Sequence, residues 1–106
     1  MYLHEQIDCY RIDRAFRKLS ILTHPMRAKI IMLLLEHKNL SVTEIQQKLN
    51  LLQAEASNHL NLLKNFDIVN WIKDGKRTLY YIDEECFNSL IEGVELLAAG
   101  KKKINI

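Results

Sequence analysis

Ser57 and Asn58 lie three and four residues after Ala54, and Asn61 four and three after them, which on a helix places all four on one face. The face is small, polar and uncharged. Such a surface suits the edges of base pairs: acids would repel phosphates, and bulky side chains would hold a helix out of a groove. Gln53 opens the same segment. Gln and Asn carry a donor beside an acceptor, the pattern that adenine presents in the major groove, and each such bidentate pair discriminates by roughly 1–3 kcal/mol. Gln53, Ala54, Ser57 and Asn58 are therefore the expected base contacts, with Asn61 extending the face. His59 sits at the edge of the buried side, where a structural or phosphate-contacting role is expected ahead of base reading. Glu55 falls off the face, where it would accept from a cytosine amine or sit at the groove edge.

A second group is basic. Lys73, Lys76 and Arg77 surround Asp74–Gly75, a two-residue hairpin signal. Three bases at a tight turn grip phosphates or enter a minor groove, and they set position rather than sequence. Basic residues flank many hairpin turns, and uncharged helix faces are often merely solvated. It is their order along one chain that points to double-stranded DNA.

Other reactive residues form no recognisable set. His4, His24, His37 and His59 lack ligand spacing, and no nucleophile–base pair or phosphate loop appears, so neither a metal, a cofactor nor an enzyme is expected. Cys9 and Cys86 are too far apart in sequence for a metal finger. Cys86 would lie near a helix N-terminus, where a thiolate is favoured. A disulfide or polysulfide switch between the two is one reading, and two small buried apolar side chains is the other.

These groups need elements to hold them. Cys9, Ile12, Phe16 and Leu19 form an apolar stripe over residues 5–19, a helix whose apolar surface is wide enough to suggest contacts beyond its own subunit. Thr23–His24–Pro25 starts a second helix, with Pro at the first helical position. Met26, Ile30, Ile31, Leu33 and Leu34 surround that helix to about residue 36, so it is expected to be buried. Residues 38–40 read as a connection. Ser41–Val42–Thr43–Glu44 is a capping box opening a third helix, with Val42, Ile45 and Leu49 inward. Asn50 and Leu51 make a turn, and the helix of Gln53 to Asn65 buries Leu52, Ala56, Leu60 and Leu63. Asp67 closes it, since Asp tolerates turn conformations. Ile68–Lys73 and Lys76–Ile82 are strand-like. Asp83 caps a last helix over residues 84–99, with Phe87, Leu90, Ile91, Val94 and Leu97 as its apolar stripe and Gly100 as its stop.

The expected fold is one mainly α domain over residues 1–106 with a two-stranded β-hairpin wing: a winged helix-turn-helix, its helix-turn-helix at 41–65 and its wing at 68–82. A chain that is 48% hydrophobic, with one Pro and three Gly, is composed to fold rather than stay disordered. No apolar run approaches the roughly 20 residues that span a bilayer, and no secretory leader is read, so a cytoplasmic location is expected. The net charge of +2 is modest and uneven: residues 21–82 carry eight bases against five acids, residues 83–99 carry five acids and no base, and Lys101, Lys102 and Lys103 follow.

The sequence resembles the ArsR/SmtB-type regulators. Leu22 to Ile31 is similar to that family's "LADPTRLRIL" segment, Leu51 to Leu63 to "LSQPTVSHHLKVL", and Asp74 to Tyr81 to the wing "EGRWVYY". The resemblance covers about residues 15–99. It implies a homodimeric repressor, built on the first and last helices and bound to an inverted repeat, with Gln53, Ser57 and His59 at recognition-helix positions. His24 stands where the family usually has Asp, Asp67 where it has Gly, and Asn58 where His is common; these differences leave the fold and bear on operator preference. Ser41 and Thr43 replace the cysteines of the family's "ELCVCDL"-like metal segment. Residues 83–99 contain no His for its other zinc site. A winged-helix module for protein contacts is the competing class.

Overall fold

The computed structural model describes residues 13–104, with side chains described through residue 96. Helix α1 occupies residues 13–22 and closes at Thr23, whose amide and hydroxyl donate to the carbonyls of Leu19 and Ser20. The expected N-terminal part of this helix, with Cys9 and Ile12, lies outside the described residues.

Helix α2 runs Pro25–Glu36. Pro25 forces its predecessor out of the helical region, and His24 is extended there (φ −65°, ψ 125°) with Nδ1 accepting from the Met26 amide at 3.1 Å. The imidazole thus does the capping work that a carboxylate would do. Ile30, Ile31 and Leu34 are buried, but the helix is not enclosed all round, because Met32 and Leu35 are exposed.

A short strand follows where a connection was expected: β1, Asn39–Ser41. Three residues of mixed type carry no strand signal of their own. They are extended because they pair with a strand about forty residues later, after a left-handed Lys38 (φ 42°) turns the chain. Helix α3, Val42–Leu49, opens on the expected capping box: the Glu44 amide donates to Ser41 Oγ at 3.2 Å and the Ser41 amide to Glu44 Oε1 at 3.0 Å. Asn50 (φ 54°) turns the chain into α4, Gln53–Asn65.

Helix α4 ends in a Schellman motif. Asp67 is left-handed (φ 61°), its amide bonds to Lys64 O, and the Ile68 amide reaches back to Leu63 O. Leu63 and Ile68, the pair flanking this motif, are both fully buried. The chain then makes β2, Val69–Asp74, and β3, Arg77–Ile82. Asp74 pairs with Arg77, so the two-residue turn is Gly75–Lys76, one position later than Asp74–Gly75. Gly75 (φ 63°) takes the first turn position, where a type II′ turn needs glycine. The antiparallel sheet is ordered β1-β3-β2, which makes the wing three-stranded at its base rather than two-stranded.

Asp83 caps helix α5, Glu84–Ile104, by accepting from the Cys86 amide at 3.1 Å. The helix continues through Gly100 instead of stopping there. One core joins these parts: Ile30 and Leu34 of α2, Ile45 of α3, Leu60 and Leu63 of α4, and Val69 and Ile82 of the sheet. Its consequence for the site is that α4 is anchored along one whole side.

Candidate nucleic-acid interface

Ala56, Leu60 and Leu63 are fully buried and fix the rotation of α4 about its axis. That rotation turns Gln53, Ala54, Asn58 and Asn61 outward to solvent, with Ser57 half-buried beside them. Leu52, expected on the buried side, is exposed and serves as the N-cap position. A leucine has no side-chain acceptor for the helix amides, so the cap is one-sided: Glu55 Oε1 accepts from the Leu52 amide at 3.1 Å. Glu55 therefore folds back onto the start of its own helix and leaves the outward face without an acid pointing from it.

His59 is tied inward. Its Nδ1 lies 3.3 Å from Arg27 Nη1, and its ring is tilted 49° against His24 at 4.9 Å between centroids. Arg27 in turn donates Nε–H to the Ile21 carbonyl at 2.6 Å. Burial, and then the neighbouring His24 and Arg27, push the His59 ring below the usual imidazole range, with Glu55 opposing. A neutral His59 whose Nδ1 accepts from Arg27 braces α4 against the end of α1 and the start of α2. The sequence hinted at a structural role for His59 but gave no sign of Arg27 as its partner.

At the wing, Lys73 and Lys76 are exposed at the tip. Arg77 is exposed too, but its Nη2 lies 2.6 Å from Glu44 Oε1. Glu44 is held below the usual carboxylate range first by the Ser41 backbone and hydroxyl bonds, then by Arg77. On the sheet, Lys64 Nζ stands 5.9 Å from the Trp71 ring centre, joining the end of α4 to β2. Gln53, Ala54, Asn58 and Asn61 are thus exposed on α4 with Ser57 half-buried beside them, and Lys73 and Lys76 are exposed at the hairpin tip, while His59 and Arg77 have side chains already engaged.

Ser41 and Thr43 stand at the start of α3, where Ser41 is a helix cap and Thr43 is exposed. Among the described residues no three His, Cys, Asp or Glu side chains cluster closely enough to hold a metal. Cys86 is half-buried, with Lys18 Nζ 3.1 Å from its sulfur. Cys9 lies outside the described residues. No helix among the described residues is long and apolar enough to cross a membrane.

Residues 24–70 match the family model described as "Bacterial regulatory protein, arsR family". The chain is 30% identical over 103 residues to a cadmium resistance transcriptional regulatory protein, CadC homolog, of Staphylococcus aureus, covering 86% of this chain and 82% of the relative. It is 30% identical over 94 residues to the transcriptional repressor PagR of Bacillus anthracis, covering 89% and 90%. The crystal structure of PagR superposes with a TM-score of 0.64 at 32% identity over 70% of this chain and 84% of that one. Reduced HlyU of Vibrio cholerae superposes with a TM-score of 0.69 at 26% identity over 86% and 96%. The winged helix-turn-helix, the outward uncharged face of α4 and these relatives agree: the chain belongs to the ArsR family of DNA-binding transcriptional regulators, not to a family of enzymes.

Proposed function

We propose that the protein is a homodimeric transcriptional repressor that reads an inverted-repeat operator through α4. The observation that carries this reading is the outward face of α4, which presents Gln53, Ala54, Asn58 and Asn61 with no free acid among them, together with the two exposed lysines of the wing tip. Gln53 and Asn58 pair with base edges; Ala54 and Ser57 let the helix approach closely. Lys73 and Lys76 hold phosphates on either side of the groove.

Dimerisation is supported by apolar side chains that the described residues leave in solvent: Phe16 of α1 and Ile91, Val94 and Leu96 of α5. A face of this kind on two helices marks a protein contact. A two-fold pair of α4 helices then meets half-sites about one helical turn apart. PagR, named a transcriptional repressor, supports the direction of control. Ser41 and Thr43 supply no thiolate at the start of α3, so control by metal at that position is not part of this reading.

The test is the salt dependence of binding to a labelled duplex from immediately upstream of the protein's own gene. Four wing lysines in a dimer give a slope of log affinity against log salt of about −3.6 or steeper. Asn58→Ala is expected to cost about 1–3 kcal/mol on that duplex and nothing on a scrambled one. Binding no better than that of a neutral protein at low salt would overturn this reading in favour of a protein-contact module.

A further inference from the structure

Strand β1 pairs with β3 only from Asn39↔Tyr81 to Ser41↔Leu79. The hairpin residues 73–78 therefore project beyond the last rung that ties the wing to the start of α3. Lys73 and Lys76 ride on that projection, and their placement relative to α4 decides whether both meet the same duplex. A ladder alone lets a hairpin rock about its last rung.

One side chain spans the gap. Arg77, the first residue of β3, lies two positions beyond Leu79 and so on the same face of the strand. Its guanidinium donates to Glu44 Oε1 at 2.6 Å, and the same oxygen accepts from the Ser41 amide at 3.0 Å. The cap of α3 and the root of the wing tip are thus joined through a single atom. Charge leads to the same role. Ser41, Thr43, Glu44, Lys76, Arg77 and Thr78 line the cleft between α3 and the wing, and a bare Glu44 there would repel a phosphate. Arg77 cancels that charge and leaves Lys76 as the cation of the cleft.

We propose that Arg77 is a positioning residue: its ion pair with Glu44 fixes the wing tip against the helix-turn-helix, and the phosphate contacts belong to Lys73 and Lys76. The proposal rests on the DNA-binding reading above. The pair is well exposed, at 58% and 40% of its side-chain surfaces, so its loss moves folding stability little.

The test uses the full chain and a fluorescein-labelled duplex about three helical turns long from upstream of its gene. Glu44→Gln keeps an amide oxygen for the Ser41 amide, so the helix cap survives while the charge goes. Lys76→Met is expected to flatten the salt slope by about one for each phosphate it no longer holds. Arg77→Met combined with Glu44→Gln removes the pair without a net change in charge, so it leaves the slope unchanged and weakens binding about five-fold at every salt concentration. Glu44→Gln weakens it by a similar factor, and the double variant is no weaker than either single one. Amide order parameters of Gly75 and Lys76 fall in both single variants while the melting temperature holds. A slope flattened by the double variant, tighter binding by Glu44→Gln, or unchanged order parameters would each overturn the proposal. Wild-type binding without salt dependence would instead sink the DNA reading, and the proposal with it.

Discussion

The joint between α4 and the wing depends on one backbone conformation, and substitution there gives opposite signs for two small residues. Asp67 sits at φ 61°, the left-handed position of the Schellman motif, and its amide is bonded to Lys64 O at 2.9 Å. A left-handed residue with a Cβ costs roughly 1–2 kcal/mol, less for Asp than for Ala because a short polar side chain tolerates the region. Glycine escapes that cost but loses about 0.4–1 kcal/mol through the greater freedom of its unfolded chain. The Arg14–Asp67 ion pair is long, at 3.4 Å, and exposed on both sides, so its loss contributes a few tenths of a kcal/mol at most. Asp67→Gly should therefore match or exceed the wild type, and Asp67→Ala should fall about 1 kcal/mol below Asp67→Gly. At about 4–8 °C per kcal/mol for a domain of this size, the two variants differ by several degrees in melting temperature at one fixed protein concentration. Arg14→Met serves as the control for the ion pair and should scarcely move. An Asp67→Ala variant as stable as Asp67→Gly would refute the claim that left-handed geometry at this residue governs the joint.

Leu60 is fully buried at the centre of α4, and Leu60→Ala should cost about 2–5 kcal/mol in urea unfolding. Stability should also fall as pH drops below 6.5, because the unfolded chain's His59 takes up a proton that the native ring, held below its ordinary range, refuses. The loss levels off once the native ring titrates, and His59→Gln should remove this part of the pH dependence in urea midpoints read from about pH 7 to pH 5. Val94→Asp places a charge among the exposed apolar side chains of α5 and should shift the proposed dimer to monomer in light scattering while the helical content persists.

The elements that could be read in the sequence are those whose stabilising partner lies within a turn or two. The Ser41–Glu44 box, Asp67 as a left-handed stop and Asp83 as a cap all bond to residues three positions away, and Pro25 at the first position of α2 acts through its own ring. Periodicity likewise marked the outward face of α4, because Ala56, Leu60 and Leu63 repeat at helical spacing. What escaped depends on distant partners. β1 exists only through its rungs to Leu79, Tyr80 and Tyr81, and the turn at Gly75–Lys76 is set by the Asp74↔Arg77 register rather than by the Asp–Gly pair itself. Gly100 ends a helix only where it turns left-handed, and here it is helical, so α5 runs past it. Arg77 looked like a third phosphate contact because its carboxylate partner, Glu44, already had a local role in the cap.

These distant ties together decide how control can reach DNA. α4 is braced to α1 and α2 through His59 and Arg27, and to β2 through the turn at Asp67 and the Lys64–Trp71 contact. The wing is returned to α3 by β1 and by Arg77. Helix, turn, helix and wing thus form a closed ring of attachments, and no single element of it moves without breaking a bond or exposing core. In the homodimer proposed above, an effector that lowers affinity without unfolding the protein therefore has one inexpensive coordinate left, the spacing between the two heads. Half-sites of the proposed inverted repeat would lie about one helical turn, 34–36 Å, apart, so a small rotation at the proposed α1–α5 contact would take one α4 out of its groove. Double electron–electron resonance between labels at Asn61 of each protomer would read that spacing; an affinity change at constant spacing would require one of the ties within a head to open instead.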